Sequence, residues 1–210
     1  MQGRTHLAAG TALALALLKP DTPAALVSGA AAAAIGSIIS DIDEGKSGSR
    51  NDAVRAGAVL LAVAAVSLMA DRIWNLGILQ KLLSRVGSEH RIFALLFFIL
   101  LCCIGVLSKH RSFMHSFLGM LLLASCVYVL YPELAPYFLA GFASHLALDF
   151  LNRRGEMLLF PMRKRYSLKI AGSDGLLNKV LLIAGFAFLI IVIYTSQPFR
   201  ELLARTGEII

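Results

Sequence analysis

Four of the five histidines in this 210-residue chain fall near aspartates at the edges of apolar stretches. His6 opens the first such stretch, and Asp41 and Asp43 close the second. His110 and His115 bracket the turn Lys109-His-Arg-Ser-Phe-Met-His-Ser116, and His145 is followed one helical turn later by Asp149. That last spacing puts an imidazole and a carboxylate on one helix face, a way to present two ligands to one ion. Asp41-x-Asp43 at a helix end can bridge two cations or give one carboxylate to each. Imidazole suits zinc and iron, while carboxylate adds tolerance for manganese or magnesium. His6, Asp41, Asp43, His110, His115, His145 and Asp149 outnumber the three protein ligands of a single catalytic zinc. Two ions about 3.5–4 Å apart would use such a set, and each would acidify a water to hydroxide near neutral pH. Arg111 or Arg153 could hold an anionic substrate group bidentately. Spacing does not separate ligands from orienting residues or a general base. Asp43, His115 and Arg111 are the candidates for direct catalytic roles.

Ordinary explanations exist for each residue singly. Aspartate or histidine at a span end often caps a helix or meets the interface. His145 and Asp149 resist that reading, because 140–151 is otherwise apolar and an Asp near the bilayer centre costs about 2.5–3.5 kcal/mol. A metal-free His–Asp hydrogen bond or a proton relay stays open. Ser116 has no strand–elbow context for a nucleophile, and His90 is expected on the opposite face. Arg163-Lys-Arg165 reads as a topology or anionic-lipid signal, and Gly172-Ser-Asp-Gly175 as a turn.

The elements that must position these residues are apolar helices. Hydrophobic residues make up 58% of the chain and charged ones 16%, with a mean hydropathy of +0.74, where a soluble domain averages about a quarter charged. The apolar residues come in blocks, and a span needs about 20 of them, or as few as about 17. Blocks at 6–18, 24–39, 53–70, 92–107, 113–131, 134–151 and 180–194 predict an all-α transmembrane bundle of about seven spans, the first one short. The chain is one integral membrane domain over 1–210, and its start reads as a retained helical hairpin in preference to a cleaved signal. Residues 71–91 alternate apolar and charged positions at helical spacing, as an interfacial amphipathic helix anchored by Trp74 would. Residues 152–179 form a basic loop. Cys102, Cys103 and Cys126 lie in apolar runs without a CxxC pair, so neither a disulfide framework nor a zinc ribbon is indicated.

The net charge of +7 is a topology signal before it is a nucleic-acid footprint. With seven spans, Arg4, Lys46, Arg50, Arg55, Lys109, Arg111, Arg153, Arg154, Arg163, Lys164, Arg165, Lys169 and Lys179 share one face. Lys19, Arg72, Lys81, Arg85, Arg91, Arg200 and Arg205 share the other. The richer face, with the N-terminus and the candidate site, is expected in the cytoplasm of a bacterial inner membrane.

On Thr5-His6, Ser40-Asp-Ile-Asp43, His110-Arg-Ser-Phe-Met-His-Ser116 and Ser144-His-Leu-Ala-Leu-Asp-Phe-Leu-Asn152 the sequence resembles the LexA-binding, inner-membrane-associated hydrolase family, also described as YdjM-like membrane-bound metal-dependent hydrolases. Gly155 and Pro161 also match. Ser40 stands where that family often has proline, a change confined to the approach to the acidic motif. The resemblance covers about the first 165 residues, and the HRxxxHS element is its most specific part. It implies a multi-span helical protein with metal-dependent hydrolytic activity.

The expected function is a membrane-embedded hydrolase using one or two zinc, manganese or iron ions. Its partners would be membrane lipids, with a lipid or phosphoester substrate and no nucleic acid. The rival readings are an ion- or proton-coupled transporter, and a docking or regulatory protein that holds a cytoplasmic partner through 152–179.

Overall fold

The computed structural model describes residues 2–46, 50–85, 87–170, 172 and 175–207, with side chains except at 44–57, 60 and 207. The helices are α1 (Gly3–Leu18), α2 (Pro23–Ile39), α3 (Arg50–Trp74), α4 (Ile78–Arg85), α5 (Glu89–Leu107), α6 (Phe117–Leu130), α7 (Ala135–Phe150), α8 (Leu176–Thr195) and α9 (Gln197–Gly207). Two 3-10 segments, Ser40–Lys46 and Phe113–His115, follow α2 and precede α6. The only pairing resembling a strand among the described residues is an isolated antiparallel bridge between Glu156 and Tyr166.

Local chemistry sets the helix ends. Lys19 adopts a left-handed conformation and its N–H donates to the Leu15 carbonyl, closing α1. Thr22 Oγ1 then accepts from Ala25 N at 3.2 Å and Pro23 occupies the first turn of α2, a favourable start because proline lacks only an N–H that would be unpaired there. At the other end of the bundle Ser116 Oγ accepts from Gly119 N at 3.0 Å and starts α6.

α1, α2 and α7 pack on one another at the centre, with α8 against α1 and α6 beside α7. Small residues let α2 and α7 cross closely. A Cβ on Gly36 would overlap the Phe138 carbonyl, and one on Gly141 the Ala33 carbonyl, the close backbone approach that small residues allow in membrane helices. Phe138, Phe142, Leu15, Met114 and Leu123 fill the remaining core.

Among the described residues, three helical stretches are long and apolar enough to cross a bilayer, namely Pro23–Asp43, Glu89–Leu107 and Leu176–Thr195. The last two turn most of their surface outward, as lipid-facing helices do. A fourth candidate is the pair Leu61–Trp74 and Ile78–Arg85, bent by 116°. α1, α6 and α7 have 16, 14 and 16 residues, about 21–24 Å at 1.5 Å per residue, shorter than a hydrocarbon core of about 30 Å. Of these three, α1 and α7 are the more enclosed by neighbours. All seven apolar blocks thus form helices, but only some have the length of a simple span.

The segment 71–91 differs from a single interfacial helix. α3 runs on to Trp74, the chain turns, and α4 alone carries the amphipathic pattern. Asp71 makes the corner, accepting from Ile78 N at 2.8 Å and Leu79 N at 2.9 Å. The Trp74 indole donates to Thr206 Oγ1 at 3.0 Å, tying the corner to α9, a helix in a tail whose leucines are too sparse to announce it. The basic loop is shorter than 152–179, since α8 begins at Leu176. Ser173 and Asp174 of the expected turn lie outside the described residues.

Candidate metal centre

Every candidate ligand lies at one end of the bundle. His6 sits in the first turns of α1, Asp41 and Asp43 just past α2, His110, Arg111 and His115 between α5 and α6, and His145 and Asp149 near the end of α7. His6, Asp43, His115, His145 and Asp149 are at most 1% exposed, and Arg111 is 6% exposed. Asp41 and His110 are the more accessible members, with side chains 15% and 18% exposed, and mark the open side.

The tautomer of His145 follows from its partner. His145 Nδ1 is 2.7 Å from the Ser37 carbonyl, which can only accept, so Nδ1 carries the hydrogen and Nε2 keeps a lone pair. His115 Nδ1 lies 3.3 Å from Asp43 Oδ2 without closing a hydrogen bond. The Nε2 atoms of the two rings face one another at 3.3 Å. Asp41 Oδ1 is 3.6 Å from His145 Nε2 and 3.9 Å from His115 Nε2, and Asp149 Oδ2 is 3.7 Å from His115 Nε2. Four atoms able to ligate a cation therefore converge. Around a tetrahedral ion with bonds of about 2.1 Å, ligand atoms stand about 3.4 Å apart, a spacing that these separations of 3.3–3.9 Å approach.

The surrounding residues hold this group in place. His110 Nδ1 is 2.7 Å from Asp43 Oδ1, and Arg111 Nε donates to His110 Nε2 at 3.4 Å, so both His110 nitrogens meet protein groups. The Arg111 backbone N donates to Asp43 Oδ2 at 3.1 Å. Asp43 thus stands behind His115 as an orienting carboxylate, the usual arrangement behind a metal-binding imidazole. Arg111 Nη2 reaches Asp149 Oδ2 at 2.7 Å and Nη1 donates to the Arg154 carbonyl. Its backbone has φ of 61°, a left-handed conformation that costs a residue with a side chain of order 1–3 kcal/mol unless its surroundings fix it. His6 stacks on His145 with ring centroids 3.9 Å apart. Its Nε2 lies 3.2 Å from Asp149 Oδ1, yet neither ring nitrogen closes a hydrogen bond. Three groups have ligand atoms close enough to share an ion: His6, His145 and Asp149; Asp41, His115 and His145; Asp43, His110 and His115.

Electrostatically the pocket favours positive charge. Burial opposes charge on the His115 ring, but the neighbouring carboxylates of Asp43, Asp149 and Asp41 outweigh it and raise the pKa.

Some features have simpler roles or were hidden. Ser116 Oγ donates to the Phe113 carbonyl at 2.6 Å while capping α6, so the serine of HRxxxHS seats His115. His90 is exposed at the far end of α5. Arg153 is exposed beside the site. Two buried residues escaped sequence reasoning. Asn178 of α8 accepts from Thr5 Oγ1 at 3.0 Å and Gln2 N at 3.3 Å, fixing the start of α1 next to His6. Glu156 is fully buried, and its only sequence signal was being the one acid in a stretch crowded with arginine and lysine.

No curated protein and no solved structure matches the chain. The sequence model of the YdjM inner membrane protein family matches residues 1–204, and the chain belongs to that family.

Proposed function

We propose that this membrane protein is a metal-dependent hydrolase whose site opens at the end of the bundle where α1, α2 and α7 meet. The observation that carries the reading is the 3.3 Å approach of two imidazole Nε2 atoms, with His145 Nδ1 turned to the Ser37 carbonyl and the carboxylates of Asp41 and Asp149 beside them. A cation between the two imidazoles would also be shared with the carboxylates at 3.6–3.9 Å.

His115 and His145, with Asp41 and Asp149, would hold the ion, in a nitrogen-and-oxygen donor set suited to zinc, manganese or iron. A single ion accounts for the geometry best, because His145 has one ring nitrogen to give. His6 is placed to join through Asp149. When bound, the ion supplies Lewis acidity and lowers the pKa of a water. Asp43 orients His115, His110 holds Asp43, and Arg111 fixes Asp149 in place of a substrate anion. The substrate enters past Asp41 and His110. Since this end of an integral membrane bundle lies where headgroups lie, an amphiphilic ester, such as a lipid phosphoester, is the class proposed. The basic residue excess on the same face supports a cytoplasmic orientation of the site.

Metal content of detergent-purified protein tests the reading. About one equivalent in wild type and none in a folded His145→Ala variant is expected. Absence of metal from wild type even after reconstitution with zinc, manganese and iron would sink it and put a shared proton between the two imidazoles.

A further inference from the structure

The segment between α7 and α8 is built onto the end of the bundle. Leu168 N donates to the Phe150 carbonyl at 2.8 Å and Ile170 N to the Leu151 carbonyl at 3.0 Å, taking up carbonyls that a helix leaves unpaired where it ends. Nearer its start, Met157 N donates to the Arg111 carbonyl at 3.1 Å, and the Leu158 carbonyl accepts from Phe117 N at 3.0 Å. The bridge between Glu156 and Tyr166 closes the two halves into one loop. Held this way, the loop lies where α7 ends and where α8, an apolar helix that turns most of its surface outward, begins. That level is the boundary of the bilayer.

The outer surface of the loop is basic and apolar at once. Arg153, Arg154, Arg163, Lys164, Arg165 and Lys169 are exposed, and the ion pairs among the described residues involve none of them. The only acid between Leu151 and Ile170 is Glu156, which is buried. Among these cations stand Leu159, Met162, Leu168 and Ile170, each 45–61% exposed. We propose that the loop is a docking surface for anionic phospholipids of the bilayer that holds the chain. The cations meet headgroup phosphates, while Leu159 and Met162 dip to the acyl boundary, as basic amphipathic segments do. A nucleic acid would use the charges and leave the apolar side chains in water. Each cation held at an anionic surface favours association about fivefold, and the attraction fades over a Debye length of about 8 Å at physiological salt. Because the loop is bonded to the stretch that carries His110 and His115, docking sets the open side of the candidate centre at headgroup level.

Trp74 is the chain's one tryptophan, so Trp74→Phe with Leu159→Trp puts a single fluorescent reporter on the loop. Full-length protein is placed in lipid nanodiscs of fixed brominated phosphatidylcholine content, the remainder being phosphatidylglycerol or unbrominated phosphatidylcholine. In the phosphatidylglycerol discs emission should shift to the blue and be quenched by bromine. Both effects should recede in the neutral discs and at high salt. Adding Arg163→Gln and Lys164→Gln should lower the ratio of docked to free loop about 25-fold, at fivefold per charge, with the unfolding temperature unchanged. If the reporter protein does not fold, phosphatidylglycerol retained through purification, counted by mass spectrometry, reads the same preference. Wild type should then retain more than the Arg163→Gln, Lys164→Gln variant. Equal quenching in both kinds of disc, an unquenched reporter in both, or equal lipid retention overturns the proposal. RNA retained by wild type in place of lipid also overturns it, and assigns the cations to nucleic acid.

Discussion

Ser37 and His145 are 108 residues apart in the chain and 2.7 Å apart in space, joined from carbonyl oxygen to ring Nδ1. The Ser37 carbonyl is one of those a helix leaves unpaired in its last turn, and the histidine takes it. This bond depends on the close crossing of α2 and α7, for Gly36 precedes Ser37 and Gly141 lies one turn before His145.

The first prediction concerns that crossing. Gly141→Leu drives a side chain into the Ala33 carbonyl, forcing the helices apart. Overpacking of this kind costs about 1–3 kcal/mol. Thermal unfolding should shift down, and metal content should fall with it although no candidate ligand has changed. Gly87→Ala, where a Cβ meets open space, should alter neither.

Asp43 separates an orienting role from a ligating one. As the carboxylate behind His115 and His110, its replacement in Asp43→Asn should weaken metal affinity about 10–100-fold. His145→Ala should abolish binding. Titration against a chelator of known affinity distinguishes the two. Equal and complete loss in both variants would make Asp43 a ligand.

The fold class and the convergence of histidines and aspartates were legible because both follow from block structure. Apolar blocks separated by polar turns return the chain repeatedly to the same end, and His6, Asp41, His110 and Asp149 each sit where a block begins or ends. The ranking among them was not legible. It depends on which ring nitrogen faces which acceptor, and the Ser37 carbonyl that decides His145 has no side-chain signature. Glu156 was hidden for a related reason: an isolated bridge to Tyr166 has no periodicity. Trp74 shows the opposite error. An indole at a block edge suggests a lipid interface, but its partner is Thr206, in a tail where composition gave little sign of a helix.

Arg111 yields a stability prediction. Its guanidinium joins Asp149 at 2.7 Å in the interior, and removing one partner of a buried pair costs about 3–5 kcal/mol. Arg111→Ala should be strongly destabilised. Arg111→Lys should not recover, because an ammonium cannot span Asp149, the Arg154 carbonyl and His110 together. Full stability of Arg111→Lys, read by chemical or thermal unfolding in detergent, would show that charge alone is what the site needs.

The final prediction is a pH dependence with a definite sign. The Glu156 carboxyl holds its proton to about 8 in the folded protein, against 4.5 ordinarily, because burial disfavours the anion and the pull of His115 and Arg111 only partly offsets burial and the like charge of Asp149. Between those two values the folded chain binds the proton and the unfolded chain does not. Stability must therefore fall as pH rises through this window, by up to about 4 kcal/mol between pH 5 and 8 at 1.36 kcal/mol per pH step. His115, whose pKa is also raised, loses stabilisation in the same direction, so wild type alone does not isolate Glu156. The difference between wild type and Glu156→Gln does, since the amide keeps the shape and cannot ionise. Unfolding midpoints taken from pH 5 to 8 should converge at the acid end and separate toward pH 8, with Glu156→Gln the more stable. Parallel curves would mean that Glu156 is already ionised and partnered at neutral pH.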